Sequence, residues 1–153
     1  RSADVREGLK GADMKKKYSG SCHCGAVALE CEADLKNGTS KCNCSMCRKG
    51  RYWKTLVPEA EFRLLRGGEA LTDYQFGSDT IHHLFCSRCG IKPFGRANLD
   101  IEFQGEKLSG EFYAVNVACL DDAPDEELSA ANVRFEDGRN NDWEHAPAET
   151  GYL

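Results

Sequence analysis

The sequence predicts a mainly β protein: a mostly antiparallel arrangement of short strands, with little helix, stabilised by zinc. Three observations point there. Seven of the nine cysteines fall in three tight clusters. The segments between the clusters are short, bounded by turn residues, and in places alternate apolar and polar positions, as half-buried strands do. One stretch alone carries a helical signature.

Along the chain, residues 1–13 contain Gly8 and Gly11 and show no hydrophobic period. Met14 follows, then Lys15, Lys16 and Lys17, and reads as a natural start. Residues 1–13 are therefore expected to be an N-terminal extension, either expression-derived or disordered, and residues 14–153 a single zinc-binding domain. From Tyr18 onward the pattern is one of short strands. In Ala26–Ala33, Val27, Leu29 and Cys31 alternate with Ala26, Ala28 and Glu30, the period of a strand with one face buried. Tyr52–Val57, Phe62–Leu65, Leu71–Phe76, Thr80–Phe85 and Ile91–Gly95 are further strand candidates, punctuated by turns at Gly67-Gly68 and Gly77-Ser78. Glu111–Leu120 has the clearest alternation, with Tyr113, Val115, Val117 and Cys119 on one face. Asp125–Ala131 is the one short helix expected, with Asp125 as its cap. The chain after Val133 is polar and turn-rich and is expected to wrap the sheet surface.

Composition narrows the class. With 41% hydrophobic and 29% charged residues the chain is ordinary globular material. No apolar run approaches the roughly 20 residues of a membrane-spanning helix, and no secretory signal opens the sequence, so no membrane partner and a cytoplasmic location are expected. In that reducing compartment, closely spaced thiols bind metal or act in catalysis more often than they form disulfides. An odd count of nine also argues against a fully paired framework. The net charge of −5 makes the molecule a poor binder of polyanions, so no nucleic-acid partner is expected.

The clusters carry the chemistry. Cys22-His23-Cys24-Gly25 is a C-x-C pair, whose side chains leave an extended backbone on the same side. Cys86-Ser87-Arg88-Cys89-Gly90 has the C-x-x-C-G spacing of a zinc knuckle. Together the two pairs make a closed four-cysteine set of the structural kind. Cys42-Asn43-Cys44-Ser45-Met46-Cys47 offers three thiolates within six residues, leaving a fourth coordination position for water, substrate or a distant side chain. Three protein ligands and one exchangeable position is the arrangement of catalytic zinc. The spacing alone leaves the pairing of the clusters open. It also leaves open a closed site of three cysteines and one histidine, completed by His23, His82 or His83. In the strand Thr80–Phe85 the adjacent His82 and His83 face opposite sides, so at most one points inward. Cys31 and Cys119, each on an apolar strand face, are read as buried thiols without a ligand role.

Gly20-Ser21-Cys22-His23-Cys24-Gly25, Cys42 to Lys49 and Phe85 to Gly90 together resemble the glutathione-dependent formaldehyde-activating enzyme family, which also includes centromere protein V. The resemblance runs from about Tyr18 to the end; Asn116–Asp122 and Asp137–Trp143 are similar to the family's later segments. It implies a zinc-binding β-tent fold with two zinc ions. One, structural, would sit on Cys22, Cys24, Cys86 and Cys89. The other, labile and catalytic, would sit on Cys42, Cys44 and Cys47 with an open position. The implied activity is a carbon–sulfur lyase that forms S-(hydroxymethyl)glutathione from glutathione and formaldehyde.

Glutathione carries two carboxylates, so its pocket needs cations or backbone donors. Arg48, Lys49, Arg51, Lys54, Lys92 and Arg96 are the candidates, with Tyr52 and Trp53 as wall or core. His23 or water are the candidate proton sources. Two alternatives stand beside this reading. One is a zinc-stabilised protein-interaction module; the other is a related zinc enzyme acting on another thiol or small carbonyl compound.

Overall fold

The computed structural model describes residues 14–103 and 105–153. The expectation about residues 1–13 therefore lies outside the described residues. The chain is mainly β, as its patterning predicts. Among the described residues ten strands form two sheets: β1 (Lys16–Ser21), β2 (Ala28–Ala33), β3 (Thr39–Cys42), β4 (Trp53–Pro58), β5 (Phe62–Arg66), β6 (Leu71–Tyr74), β7 (Ile81–Cys86), β8 (Phe94–Phe103), β9 (Glu106–Asn116) and β10 (Val133–Glu136). The same residues form two six-residue α-helices, α1 (Ser45–Gly50) and α2 (Asp125–Ala130). Neither is long and apolar enough to cross a membrane.

A three-stranded sheet runs in the order β1-β2-β5, and a seven-stranded sheet in the order β10-β3-β4-β9-β8-β7-β6. All pairs are antiparallel except β10 with β3. The core lies between the sheets. Leu29 and Cys31 from the small sheet meet Val57, Phe94 and Val115 from the large one, all essentially inaccessible. Phe62 of β5 stacks on Tyr113 of β9 at 3.8 Å and meets the edge of Phe94 at 4.9 Å. Such ring contacts tie the sheets by about 0.5–1.5 kcal/mol each beyond the area they bury.

Five expectations are corrected. A second short helix, α1, forms at Ser45–Gly50 in addition to the one expected at Asp125–Ala131, because the backbone turns there around closely spaced cysteines. The alternation read through Cys119 ends as a strand at Asn116. Its side chain accepts a hydrogen bond from the Ala118 N–H and turns Val117–Cys119 into one turn of 3-10 helix, although Val117 and Cys119 are still buried. Asp125 is the first residue of α2 rather than its cap; Pro124 holds the cap position without a side-chain hydrogen bond. Ile91–Pro93 precede β8 as a loop. Residues Val133–Glu136 do not wrap the surface but add an edge strand beside β3, in parallel register from Val133↔Thr39 to Glu136↔Cys42.

That parallel edge positions the site, because it brings the segment following Glu136 alongside the end of β3, where Cys42 sits. The β8–β9 hairpin is ten residue pairs long, from Phe94↔Val115 to Phe103↔Glu106. β7 and β4 pair only with its base, so residues 98–103 and 106–111 continue as a two-stranded ribbon.

Candidate metal centres and the adjoining cleft

The structure gathers the clustered cysteines into two groups. In each, the sulfurs all lie within 4.8 Å of one another: Cys22, Cys24, Cys86 and Cys89 in the first, Cys42, Cys44 and Cys47 in the second. The donor sets fit a tetrahedral ion. Metal–sulfur bonds of about 2.3 Å place tetrahedral sulfurs about 3.8 Å apart, and Cys24 Sγ lies 3.7 Å from both Cys22 Sγ and Cys86 Sγ. Both groups could hold a metal ion. No histidine or carboxylate joins either one among the described residues.

The four-cysteine group sits where the two sheets meet. Cys22 follows β1 of the small sheet, and Cys86 ends β7 of the large one. Each pair turns back through a glycine with positive φ, Gly25 at 79° and Gly90 at 80°, conformations that cost a residue with a Cβ and that glycine adopts freely. Those turns aim backbone N–H groups at sulfur, as in Val27 N–H to Cys22 Sγ at 3.3 Å. The Cys89 N–H holds Cys86 below the usual thiol range, and the Ile91 N–H lowers Cys89 to about 6. Cys24 has a favourable Ala26 N–H, yet burial and the neighbouring thiols push it up to about 11. A set of thiols that resist ionising together is what a divalent cation relieves.

The three-cysteine group is local. Cys42 ends β3, Cys44 is the N-cap of α1, and Cys47 lies in its first turn. Backbone N–H groups of Cys44 and Cys47 donate to Cys42 Sγ and Cys44 Sγ at 3.3 and 3.4 Å. Donation from the Cys42 and Cys47 thiols lowers Cys44 to about 2, whereas Cys42 and Cys47 are raised. A sulfur caps α1 where Ser or Asp would ordinarily do so, and this is why α1 lacks a recognisable start signal in the sequence.

Residues far along the chain support this group. Asn43 Nδ2 donates to Asp137 at 2.7 Å, and Asn43 Oδ1 accepts from the Arg139 N–H at 3.0 Å. Gly138 packs directly on the cluster: a Cβ there would lie 2.5 Å from Cys42 Sγ and 2.7 Å from Trp143 Cη2. Below it, Lys54 and Glu136 form an ion pair at 2.5 Å with 15% and 3% of their side chains exposed. Burial opposes the charge on Lys54, but Glu136 and Cys47 outweigh it and hold the lysine protonated.

Cys47 also lines a cleft of about 280 Å³, with Tyr52, His83, Phe85, Lys92 and Asn116 among the other walls. A second hollow of about 420 Å³ lies beside the same segment and takes in Asn43, Arg48, Arg139 and Tyr152. The cations expected to meet carboxylates are thus divided. Arg48 and Lys92 line hollows. Arg51 is engaged by the Tyr152 carbonyl at 3.0 Å and Arg96 by Glu111 at 3.3 Å, Lys54 is buried against Glu136, and Lys49 is exposed on α1. Trp53 packs on the core, whereas Tyr52 is core and cleft wall together. His23 is exposed, and His82 pairs with Asp73 at 2.6 Å on the outer face. His83 is the inward member of that strand pair. Burial pushes Cys31 and Cys119 each up to about 12, so neither thiol ionises near neutrality.

Sequence reading missed Asn43, Glu136 and Gly138 as support for the cluster. For Gly138 a signal existed, since it lies in Asp137–Trp143; for Glu136 there was none, because the parallel register that delivers it is non-local.

Fold and site together define a β protein with two cysteine clusters able to hold metal. The model of the glutathione-dependent formaldehyde-activating enzyme family matches residues 17–137, and the chain belongs to that family. It is 36% identical over 78 residues to a Halomonas elongata protein provisionally named as a glutathione-dependent formaldehyde-activating enzyme. That alignment covers 46% of this chain and 50% of the relative, so the chain spans about half the length of the curated relative it matches. A crystal structure of a Rhodobacter sphaeroides protein shares the fold with a TM-score of 0.57 and 35% identity, over 76% of this chain and 99% of that one.

Proposed function

We propose that the protein joins glutathione and formaldehyde into S-(hydroxymethyl)glutathione, a reaction of the carbon–sulfur lyase class. The reaction centre is Cys42, Cys44 and Cys47 with zinc as the resident ion. A second zinc, on Cys22, Cys24, Cys86 and Cys89, is structural. The observation that carries this reading is a three-sulfur donor set without a fourth protein donor among the described residues, opening through Cys47 onto a cleft.

Zinc on such a set supplies a position at which an incoming thiol is held as thiolate near neutral pH. The chain's own residues do the rest. Backbone N–H groups and α1 fix the three cysteine sulfurs. Tyr52 and Phe85 wall the cleft and limit water. The buried Lys54 ammonium offsets part of the negative charge that accumulates when a fourth sulfur joins three thiolates. Proximity of thiolate and carbonyl supplies most of the acceleration. The closed four-cysteine set between the sheets offers no such position, which suits a structural role. Function that depends on reduced thiols fits a cytoplasmic location.

Native mass spectrometry of the metal-replete chain, titrated with glutathione, tests this. The expected result is two zinc ions per chain and a saturable glutathione adduct. Two ions without an adduct would remove glutathione and leave another thiol or small carbonyl as substrate. One ion would remove the two-site reading.

A further inference from the structure

Lys92 enters the cleft from the loop before β8. Its Nζ lies 2.6 Å from His83 Nδ1 and 4.2 Å from the centre of the Tyr52 ring. An ammonium only donates, so His83 Nδ1 accepts and the imidazole proton sits on Nε2. Burial and the nearby Lys92 charge lower His83 to about 4, which keeps the ring neutral. Burial also lowers Lys92 to about 8, against the opposing pull of Cys47 and Cys44. The pair thus carries one positive charge and one transferable proton, and no carboxylate lies within ion-pair distance of Lys92 among the described residues.

The groups facing the pair come from every neighbouring element. Cys44 and Cys47 belong to the cap and first turn of α1, and Tyr52 and Lys54 to the start of β4 and the residue before it. Asp73 lies on β6, and His82 is the neighbour of His83 on β7. Phe76 stacks on the His83 ring at 5.4 Å and covers it from outside.

Among the described side-chain donors lining the cleft, Lys92 is the one cation; His83 Nε2–H and the second Asn116 N–H are neutral and far weaker acids. The Tyr52 hydroxyl donates to the Ala114 carbonyl. Asn116 is used on both sides, donating to the Lys92 carbonyl at 3.0 Å and accepting from the Ala118 N–H at 3.1 Å. His83 Nδ1 is taken by Lys92. Of the three N–H bonds on Lys92 Nζ, only one is needed by His83.

We propose that Lys92, oriented by His83, is the proton donor to the oxygen that becomes anionic when a thiolate held at the three-cysteine cluster adds to a small carbonyl compound. The inference rests on the reaction proposed above. The sulfur lone pair forms the C–S bond, and the carbonyl π pair moves onto oxygen. A proton passes from Lys92 Nζ to that oxygen, and the neutral amine regains from water the proton that the thiol released on binding. Thiol and carbonyl are consumed one to one and no electrons are exchanged. Lys92 is the catalytic residue and His83 a positioning residue.

The test uses the metal-replete parent, Lys92→Met, Lys92→Arg and His83→Gln. Metal content and the glutathione adduct are measured by native mass spectrometry, and turnover of glutathione with formaldehyde by exchange NMR with the uncatalysed rate subtracted. Lys92→Met is expected to keep both metals and the adduct and to lose about 10²-fold or more in turnover, the usual contribution of a general acid. Lys92→Arg keeps the charge but gives up no proton, and should not recover the rate. His83→Gln should fall less far and shift the pH profile. An activity-independent readout is the long-range ¹H–¹⁵N spectrum of the histidine rings. Between pH 5.5 and 8, His83 should be neutral with its proton on Nε2, and should lose that fixed tautomer in Lys92→Met. A protonated Nδ1 in the parent overturns the pair. So does Lys92→Met or Lys92→Arg turning over within threefold of an active parent. A parent with no acceleration at all overturns the proposed reaction, and the acid role with it.

Discussion

Cys24 and Cys86 are 62 positions apart in sequence, and their sulfurs lie 3.7 Å apart. One follows the first strand of the small sheet and the other ends a strand of the large sheet, so an ion held there would link the sheets. The three-cysteine group draws its sulfurs from one strand end and the helix that follows it.

The two groups should therefore respond differently to loss of a ligand. Structural zinc contributes on the order of 10 kcal/mol to folding, comparable with the whole stability of a domain this size. Cys24→Ser is expected to abolish cooperative thermal unfolding. Cys44→Ser should cost about 2 kcal/mol or less, retain a cooperative transition and lose turnover. Circular dichroism melts with metal analysis check both. A Cys44→Ser variant that unfolds would make the second group structural too.

Gly138 has no room for a methyl group between Cys42 and Trp143. Gly138→Ala should destabilise by about 1–3 kcal/mol, the usual cost of overpacking, and weaken metal retention at the three-cysteine group alone. Gly50 is the control, because nothing lies within 4 Å of a Cβ built there. Gly50→Ala at the end of α1 should be neutral or stabilising by up to about 1 kcal/mol. Chelator competition and thermal melts read the two effects separately.

In the Lys54–Glu136 pair the carboxylate is buried and the ammonium largely shielded, with 3% and 15% of their side chains exposed. Removing one partner strands a charge, and losses of about 3–5 kcal/mol are typical. Lys54→Met and Glu136→Leu should each fall in that range. The double variant should recover much of the loss in a double-mutant cycle. Additive losses would show that the two charges do not depend on each other.

His83 supplies a pH dependence of defined sign. Its folded-state value, about 4, lies below the ordinary 6.5, so the unfolded chain binds the proton more readily. Its contribution is present above pH 6.5 and is lost as the pH falls from 6.5 toward 4. The melting temperature of the parent should fall more steeply across that window than that of His83→Gln, with metal content followed in parallel. Equal slopes would mean that the ring is not held neutral.

Much of this was legible in the chain. β2 and the apolar half of β9 announce themselves by alternation, and the cysteine spacing marked all seven sulfurs that the fold gathers. The remainder was hidden for physical reasons. β1 holds Lys16, Lys17, Ser19 and Gly20, so its two buried positions are too few to set a period. β3 and β10 are four residues each, with buried polar groups at Thr39 and Glu136 in place of an apolar face. Lys92 was marked as a cation but not as the partner of His83, because that contact exists only once β7 has turned through Cys86–Cys89 and the chain returns beside it.

The spacing of the two cysteine groups also orders events during synthesis. A cluster confined to residues 42–47 is complete as soon as that hexapeptide leaves the ribosome, and it closes only a very short loop. The other cannot assemble until residue 89 has emerged, and joining Cys24 to Cys86 closes a far longer loop at a greater entropic cost. The growing chain thus offers its three-sulfur group to metal first, and completes its four-sulfur group only when both sheets have strands to join.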